Sequence, residues 1–164
     1  MTHSTSNFQI VIQKRARTLL LYREERLELS YPVILGRNWA ADKAVEGDEA
    51  TPLGEFYICA KNPDSKFFLS MCLSYPNAED AERGLAQNLI THEQHTQILA
   101  AIRARAVPPQ YTRLGGEIYI HGEDPAQRGA KVKDGTRGCI ALDNPAMQEL
   151  YDRARIGTPV IITP

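Results

Sequence analysis

His121 and Cys139 are the two side chains whose types and surroundings suit covalent chemistry, and they stand eighteen positions apart. His121 is followed by Gly122, and Cys139 closes the run Thr136-Arg137-Gly138-Cys139, which begins after fourteen residues counted from Gly122. A cysteine attacks as its thiolate, so a base or a positive group must stand beside it. His121 is the candidate base. Arg137 is a neighbouring cation that favours the thiolate and has the geometry to bind a substrate carboxylate. Gly138 lets a substrate carbonyl approach the backbone closely, where the Cys139 N–H can donate to an oxyanion. Gly122 allows a similar approach at His121, and its carbonyl can fix the imidazole tautomer. On residue types alone, a structural histidine and a Gly-Cys packing pair are the commoner readings, so the surrounding pattern has to decide.

Two neighbouring strands would bring the pair together. Glu117 to Ile120 (EIYI) reads as a strand ending at His121-Gly122, and Cys139 to Leu142 (CIAL) as a short strand. The polar loop between them, running to Gly135, is long enough to wall a site. The first third of the chain also reads as β. Phe8 to Gln13 alternates, Thr18 to Tyr22 is apolar, and Leu27 to Leu35 follows a charged turn at Arg23–Arg26, which suggests a hairpin or meander. Pro32 puts the third strand at an edge or on a bulge. Residues 36–54 read as a long loop, and Glu55 to Lys61 and Phe67 to Leu73 return to strand character.

Helical signals follow. Asn77 with Asp80 at the third position starts a helix to about Asn88, and Thr91 with Gln94 makes a capping box for a second. Ile98, Leu99 and Ile102 form its apolar stripe, Arg103 and Arg105 suit its C-terminal end, and Pro108-Pro109 stop it. Near the C-terminus, Asp143 or Asn144 caps a third helix with Pro145 at its first position, ended by Gly157 before a last strand, Pro159 to Ile162. The sum is about eight strands and three helices without strand–helix–strand alternation: a mainly β (α+β) single domain over residues 1–164, with 1–7 a flexible tail.

Composition is that of a globular protein, 43% hydrophobic and 24% charged. A net charge of −1 provides no overall basic field for nucleic acid. No run reaches the roughly 18 apolar residues that span a bilayer. The start, MTHSTSNFQIVIQKR, lacks the pattern of a secretory leader. Cytoplasmic action, export by another route and removal of a leader all stay open. Three cysteines are an odd number and none forms CxxC, which argues against a zinc knuckle. Cys59 and Cys72 fall within strands and read as buried thiols; pairing would require facing positions. His92 and His95, one turn apart, have no third ligand nearby and read as solvated. No metal or organic cofactor is expected.

These segments together resemble the YkuD-like L,D-transpeptidases of bacterial cell walls. The resemblance rests on His121, Thr136, Gly138, Cys139 and Asn144 at the signature spacing. It rests also on Gly47-Asp48 with Thr51-Pro52-Leu53-Gly54-Glu55-Phe56, on Tyr31-Pro32-Val33 with Gly36, and on Ser74-Tyr75-Pro76-Asn77 with Asp80. It runs from about Phe8 to Ile162. The resemblance implies a β-sandwich or barrel-like catalytic domain with about three packed helices, and it makes residues 78–116 a helical insertion whose second helix, about 91–105, is either a lid or a surface addition. By it Cys139 is the nucleophile, His121 the base, Gly122 the orienting carbonyl, and Gly138 part of the oxyanion hole. Arg137, Thr136, Asn144 and Tyr119 are candidate substrate-binding residues.

The implied substrates are peptidoglycan stem peptides, the implied inhibitors carbapenems, and the implied place of action the periplasm or cell envelope. The alternatives are a hydrolase of the same fold (an L,D-carboxypeptidase or endopeptidase, including an exported antibacterial effector) and a wall-binding module. Two residues depart from the pattern. Arg137 stands where histidine is frequent, and Ala141 replaces an arginine two residues after the cysteine.

Overall fold

Alternating burial along Phe8–Gln13 (β1) and Thr18–Arg23 (β2) places Ile10, Ile12, Leu19 and Leu21 wholly inside. Each such side chain contributes roughly 1.5–3 kcal/mol of hydrophobic stabilisation. The two strands pair antiparallel, and β2 pairs likewise with Arg26–Pro32 (β3) across a bulge near Leu21/Tyr22. The computed structural model describes residues 7–127 and 134–164. The expected tail therefore lies almost wholly outside the described residues, as does much of the loop before Gly135.

One eight-stranded sheet runs β3-β2-β1-β8-β4-β5-β6-β7. Its remaining strands are Gly54–Ser65 (β4), Phe68–Leu73 (β5), Tyr119–His121 (β6), Ile140–Ala141 (β7) and Pro159–Thr163 (β8). The sheet curls because β4 serves two neighbours. Its first residues pair with β8, and from Ile58 onward it pairs with β5 through two irregularities. Closure comes from beyond β3, where the Ile34 and Ala141 backbones exchange two hydrogen bonds of 2.9 Å. The inside holds the main apolar core, including Leu35, Met71, Ile120, Ile140 and Leu150.

Three helices pack on this sheet: Ala78–Ala86 (α1), His92–Arg103 (α2) and Asn144–Arg153 (α3). The first two carry complete capping boxes at Asn77 and Thr91. They share a small core of Ala81, Ile90, Ile98 and Leu114. His95 meets Glu82 at 2.8 Å, and no group of three metal-ligating residues exists among the described residues. No described helix is long and apolar enough to cross a membrane.

Several sequence boundaries shift for local reasons. The third strand ends at Pro32 because its partner β2 begins at Thr18: Arg17 before it has a φ of 48° and turns its N–H to the Lys14 carbonyl. The strand bearing His121 starts at Tyr119, since Glu117 has a φ of 56° and breaks the extended run. Asp143 caps α3, which moves Pro145 to the second helical position.

Buried Lys14 holds the long loop on the sheet by donating to the carbonyls of Ala41 (2.7 Å) and Thr51 (2.5 Å). Thr51 then joins this loop to the cysteine segment. Its Oγ1 accepts from the Gly36 N–H at 3.0 Å and donates to the Gly138 carbonyl at 2.9 Å, fully buried. Thr51→Val orphans both backbone groups. Unsatisfied buried groups cost about 1–3 kcal/mol each, so thermal unfolding should show a fall of roughly 4–8 °C in Tm for about 2 kcal/mol lost. Thr51→Ser should recover most of it.

Candidate active site

The parallel pairing of β6 with β7 aligns Ile120 with Ile140 and His121 with Ala141. One step back along each strand, Cys139 comes level with Tyr119. Because side chains alternate along strands, Cys139 and His121 share one face, one strand and one pleat apart. Both line a groove of about 1620 Å³ whose walls also include Glu117, Tyr119, Thr136, Arg137 and Lys43. The thiol is half-buried.

A tight turn presents the cysteine. Thr136 Oγ1 accepts from the Gly138 N–H at 3.1 Å and donates to the Cys139 carbonyl at 2.7 Å. The Gly138 amide is thereby committed to the turn. Gly138 has a φ of 128°, and a Cβ there would lie 2.7 Å from the Ala50 carbonyl oxygen, so only glycine fits. The thiol itself sits between backbone groups, accepting from the Tyr119 N–H and donating to the Glu117 carbonyl, each at 3.4 Å.

The imidazole is held by two direct contacts and one bond behind them. Its Nδ1 lies 2.7 Å from the Gly122 carbonyl. A carbonyl only accepts, so Nδ1 carries the proton and Nε2 keeps its lone pair. The other end of the same peptide unit, the Glu123 N–H, donates to Asn144 Oδ1 at 2.9 Å, and the Asn144 N–H returns a bond to Glu123 Oε2 at 3.1 Å. Phe67 stacks on the ring at 4.5 Å between centroids. Gly122 itself is packed tightly: a Cβ would come 2.6 Å from Asn144 Oδ1 and 2.7 Å from the Phe67 carbonyl oxygen.

Electrostatically both partners rest neutral. Burial pushes the Cys139 thiol above its ordinary 9.0, with the Tyr119 N–H pulling the other way. Burial likewise lowers His121 below 6.5, opposed by the Gly122 carbonyl and Asp124. The arrangement suits a thiol that loses its proton to Nε2 as it attacks, rather than a resting ion pair.

Of the residues singled out in the sequence, Cys139, His121, Gly122, Gly138 and Thr136 converge here. Asn144 reaches the backbone behind His121. Tyr119 offers its amide to the sulfur, while its ring packs beside buried, free Cys59 and Cys72. Arg137 is exposed on the groove wall, and Ala141 meets Ile34 and His121. Sequence reasoning missed Phe67, the Glu117 carbonyl and Thr51. Of these only Thr51 had a signal, its place in the TPLGEF segment.

The family profile for the L,D-transpeptidase catalytic domain (YkuD) matches residues 7–162. No curated protein matches the sequence. Solved structures do. The helical cell shape determining protein Pgp2 from Campylobacter jejuni has a TM-score of 0.66 at 22% identity, covering 94% of this chain and 46% of that one. Bd1075 of Bdellovibrio bacteriovorus gives 0.63 at 21% identity, with 99% and 49% covered. An L,D-transpeptidase from Mycobacterium smegmatis gives 0.57 at 16%, with 96% and 59% covered. The chain thus spans about half the length of the first of these, and the likeness is one of fold.

Two measurements probe the resting site. Alkylation of Cys139 by iodoacetamide, followed by mass spectrometry, should accelerate about tenfold per pH unit through neutrality and level off only above pH 9. A plateau reached by pH 6–7 would indicate a thiolate–imidazolium pair instead. Asn144→Ala, which releases the Glu123 N–H, should slow acylation of Cys139 by an activated ester roughly tenfold or more while the fold persists.

Proposed function

The chain belongs to the YkuD family of L,D-transpeptidase catalytic domains, and from that premise we propose that it performs cysteine acyl transfer on peptidoglycan stem peptides. The carrying observation is the placement of Cys139 and His121 on one sheet face in one open groove.

The chemistry follows from the resting protonation. The Cys139 sulfur attacks the amide carbonyl at the L-centre of the diamino acid in the third stem position, and the thiol proton passes to His121 Nε2. The Cys139 N–H donates to the oxyanion, since the Gly138 amide is engaged with Thr136. The C–N bond then breaks, His121 protonates the departing amine, and D-alanine leaves a thioester on Cys139. The side-chain amine of a second stem attacks that thioester, its proton returns through His121 to sulfur, and two third-position residues become linked. Throughout, the Gly122 carbonyl holds Nδ1–H and so stabilises the imidazolium that forms transiently.

Arg137 and Tyr119 stand on the groove wall where the peptide would run. Asn144 and Thr136 act on backbone, positioning His121 and Cys139. Carbapenems are the inhibitor class for this site; the fold relative LdtMt1 has been solved in complex with imipenem. The envelope is the place of action that peptidoglycan as substrate requires.

Purified stem tetrapeptide incubated with the protein should give cross-linked dimers and free D-alanine by mass spectrometry, and Cys139→Ala should abolish both. Tripeptide without dimer would assign the thioester to water and make the chain a hydrolase. Absence of any intact-mass adduct with a carbapenem would favour a binding module.

A further inference from the structure

Lys43 lines the same groove as Cys139, although its side chain is only 3% exposed. An ammonium so deeply placed must have its lost hydration replaced. Asp48 Oδ1 accepts from Nζ at 2.9 Å and the Val45 carbonyl at 3.1 Å. Among the described residues these are its two hydrogen-bond acceptors, with the Tyr75 ring 5.8 Å away. An ammonium carries three donors, so one remains for a ligand.

The lysine cannot wander. Asp48 is itself fixed by the Ala44, Val45 and Ala50 amides at 2.8, 3.0 and 3.1 Å. Burial works against its charge, but these amides and Lys43 hold the carboxyl below its usual range. On the other side, Gly115 has a φ of 88°, and a Cβ there would stand 3.1 Å from Lys43 Cε. Glycine keeps that approach to the lysine open.

The other cations of the groove are engaged or peripheral. Arg37 pairs with Glu49, Lys61 donates to the Tyr151 and Ala154 carbonyls, and Lys66 lies over the Phe67 ring. Arg137 is exposed, and Ala141 carries no charge. Lys43 is close enough to Cys139 for its charge to act on the thiol, against the larger effect of burial and that of Glu117. The carboxylates of this wall are partly spoken for as well. Asp48 holds Lys43, Glu49 holds Arg37, and Glu117 accepts from the Tyr111 hydroxyl.

We propose that Lys43 is the carboxylate anchor of the donor subsite, pairing its ammonium with a carboxylate of the stem peptide beside the scissile amide. The inference rests on the acyl-transfer reading above and adds the residue that sets the donor's register. A tetrapeptide donor ends in a D-alanine carboxylate one residue beyond the attacked carbonyl, and its diamino acid can carry a second on the side chain. Either is the right chemistry for a fixed, desolvated cation.

The experiment compares three donors: the tetrapeptide acid, its C-terminal amide, and the acid with the side-chain carboxylate amidated. Each is offered to the wild-type, Lys43→Met and Lys43→Arg proteins, with the Cys139 thioester and products followed by mass spectrometry and folding by thermal melting. The expected result is a wild-type preference of roughly tenfold or more for the acid over one of the amides. Lys43→Met abolishes that preference by slowing only the two donors that carry the carboxylate being read, and Lys43→Arg restores part of it. The amide that loses the preference identifies which carboxylate is read.

A preference that survives in Lys43→Met overturns the proposal. So does an equal loss on all three donors, which marks a role in loop structure only. A wild-type protein that forms no thioester with any donor overturns the acyl-transfer reading itself, and this inference with it.

Discussion

The exchange of backbone hydrogen bonds between Ile34 and Ala141 is the constraint on which the site depends. Ala141 sits in the last strand of the sheet, with His121 paired on its other side. Two residues of strand cannot hold a position by their own ladder. Clamped between β6 and the segment after β3, they carry Cys139 at a fixed height beside the histidine strand. Gly36 extends the clamp through its bridge to Thr136, and its lack of a side chain is required, since a Cβ would lie 2.2 Å from the Glu49 carbonyl oxygen. Sheet closure and active-site geometry are thus one set of contacts.

Around that clamp the polar groups form short chains that end at His121 Nδ1 and at the carbonyl before Cys139. Asn144, the Gly122–Glu123 peptide and His121 make one chain; Gly36, Thr51 and Gly138 make another. Each link joins a backbone group to a side chain, and those at Thr51 and at the Gly122 carbonyl are buried, where an unsatisfied polar group is expensive. Their effect is preorganisation: the tautomer of the imidazole and the turn before the cysteine are set by the protein alone.

Burial has a second consequence. Desolvation raises the thiol and lowers the imidazole, so the neutral forms of both are favoured. A neutral thiol spares the site a reactive anion at rest. The groove nonetheless carries charge on its walls, including Lys43 and Arg137 beside Cys139 and Asp124 beside His121.

Much of this was legible in the sequence because it is written in local rules. Alternation along Phe8–Gln13, the capping boxes at Asn77 and Thr91, and the cap at Asp143 each depend on residues within a few positions of one another. The family signature marked His121, Gly138 and Cys139 by type and spacing, and the strand pairing sets the histidine and the cysteine along one groove. The contact of the imidazole with Gly122, its sequence neighbour, was legible as a local one.

What the sequence could not supply are the partners that arrive from elsewhere in the chain. Phe67 stacks on His121 from 54 positions away, Glu117 turns its carbonyl to the sulfur through a left-handed residue, and Ile34 closes the sheet on Ala141. Nothing in their local patterns marks them, because each role is defined by the curl of the sheet. Residue types and short spacings determined which chemistry this protein is equipped for. Only the closed tertiary structure decided where the ring, the thiol and their supports meet, since non-local contacts are fixed by packing and not by periodicity.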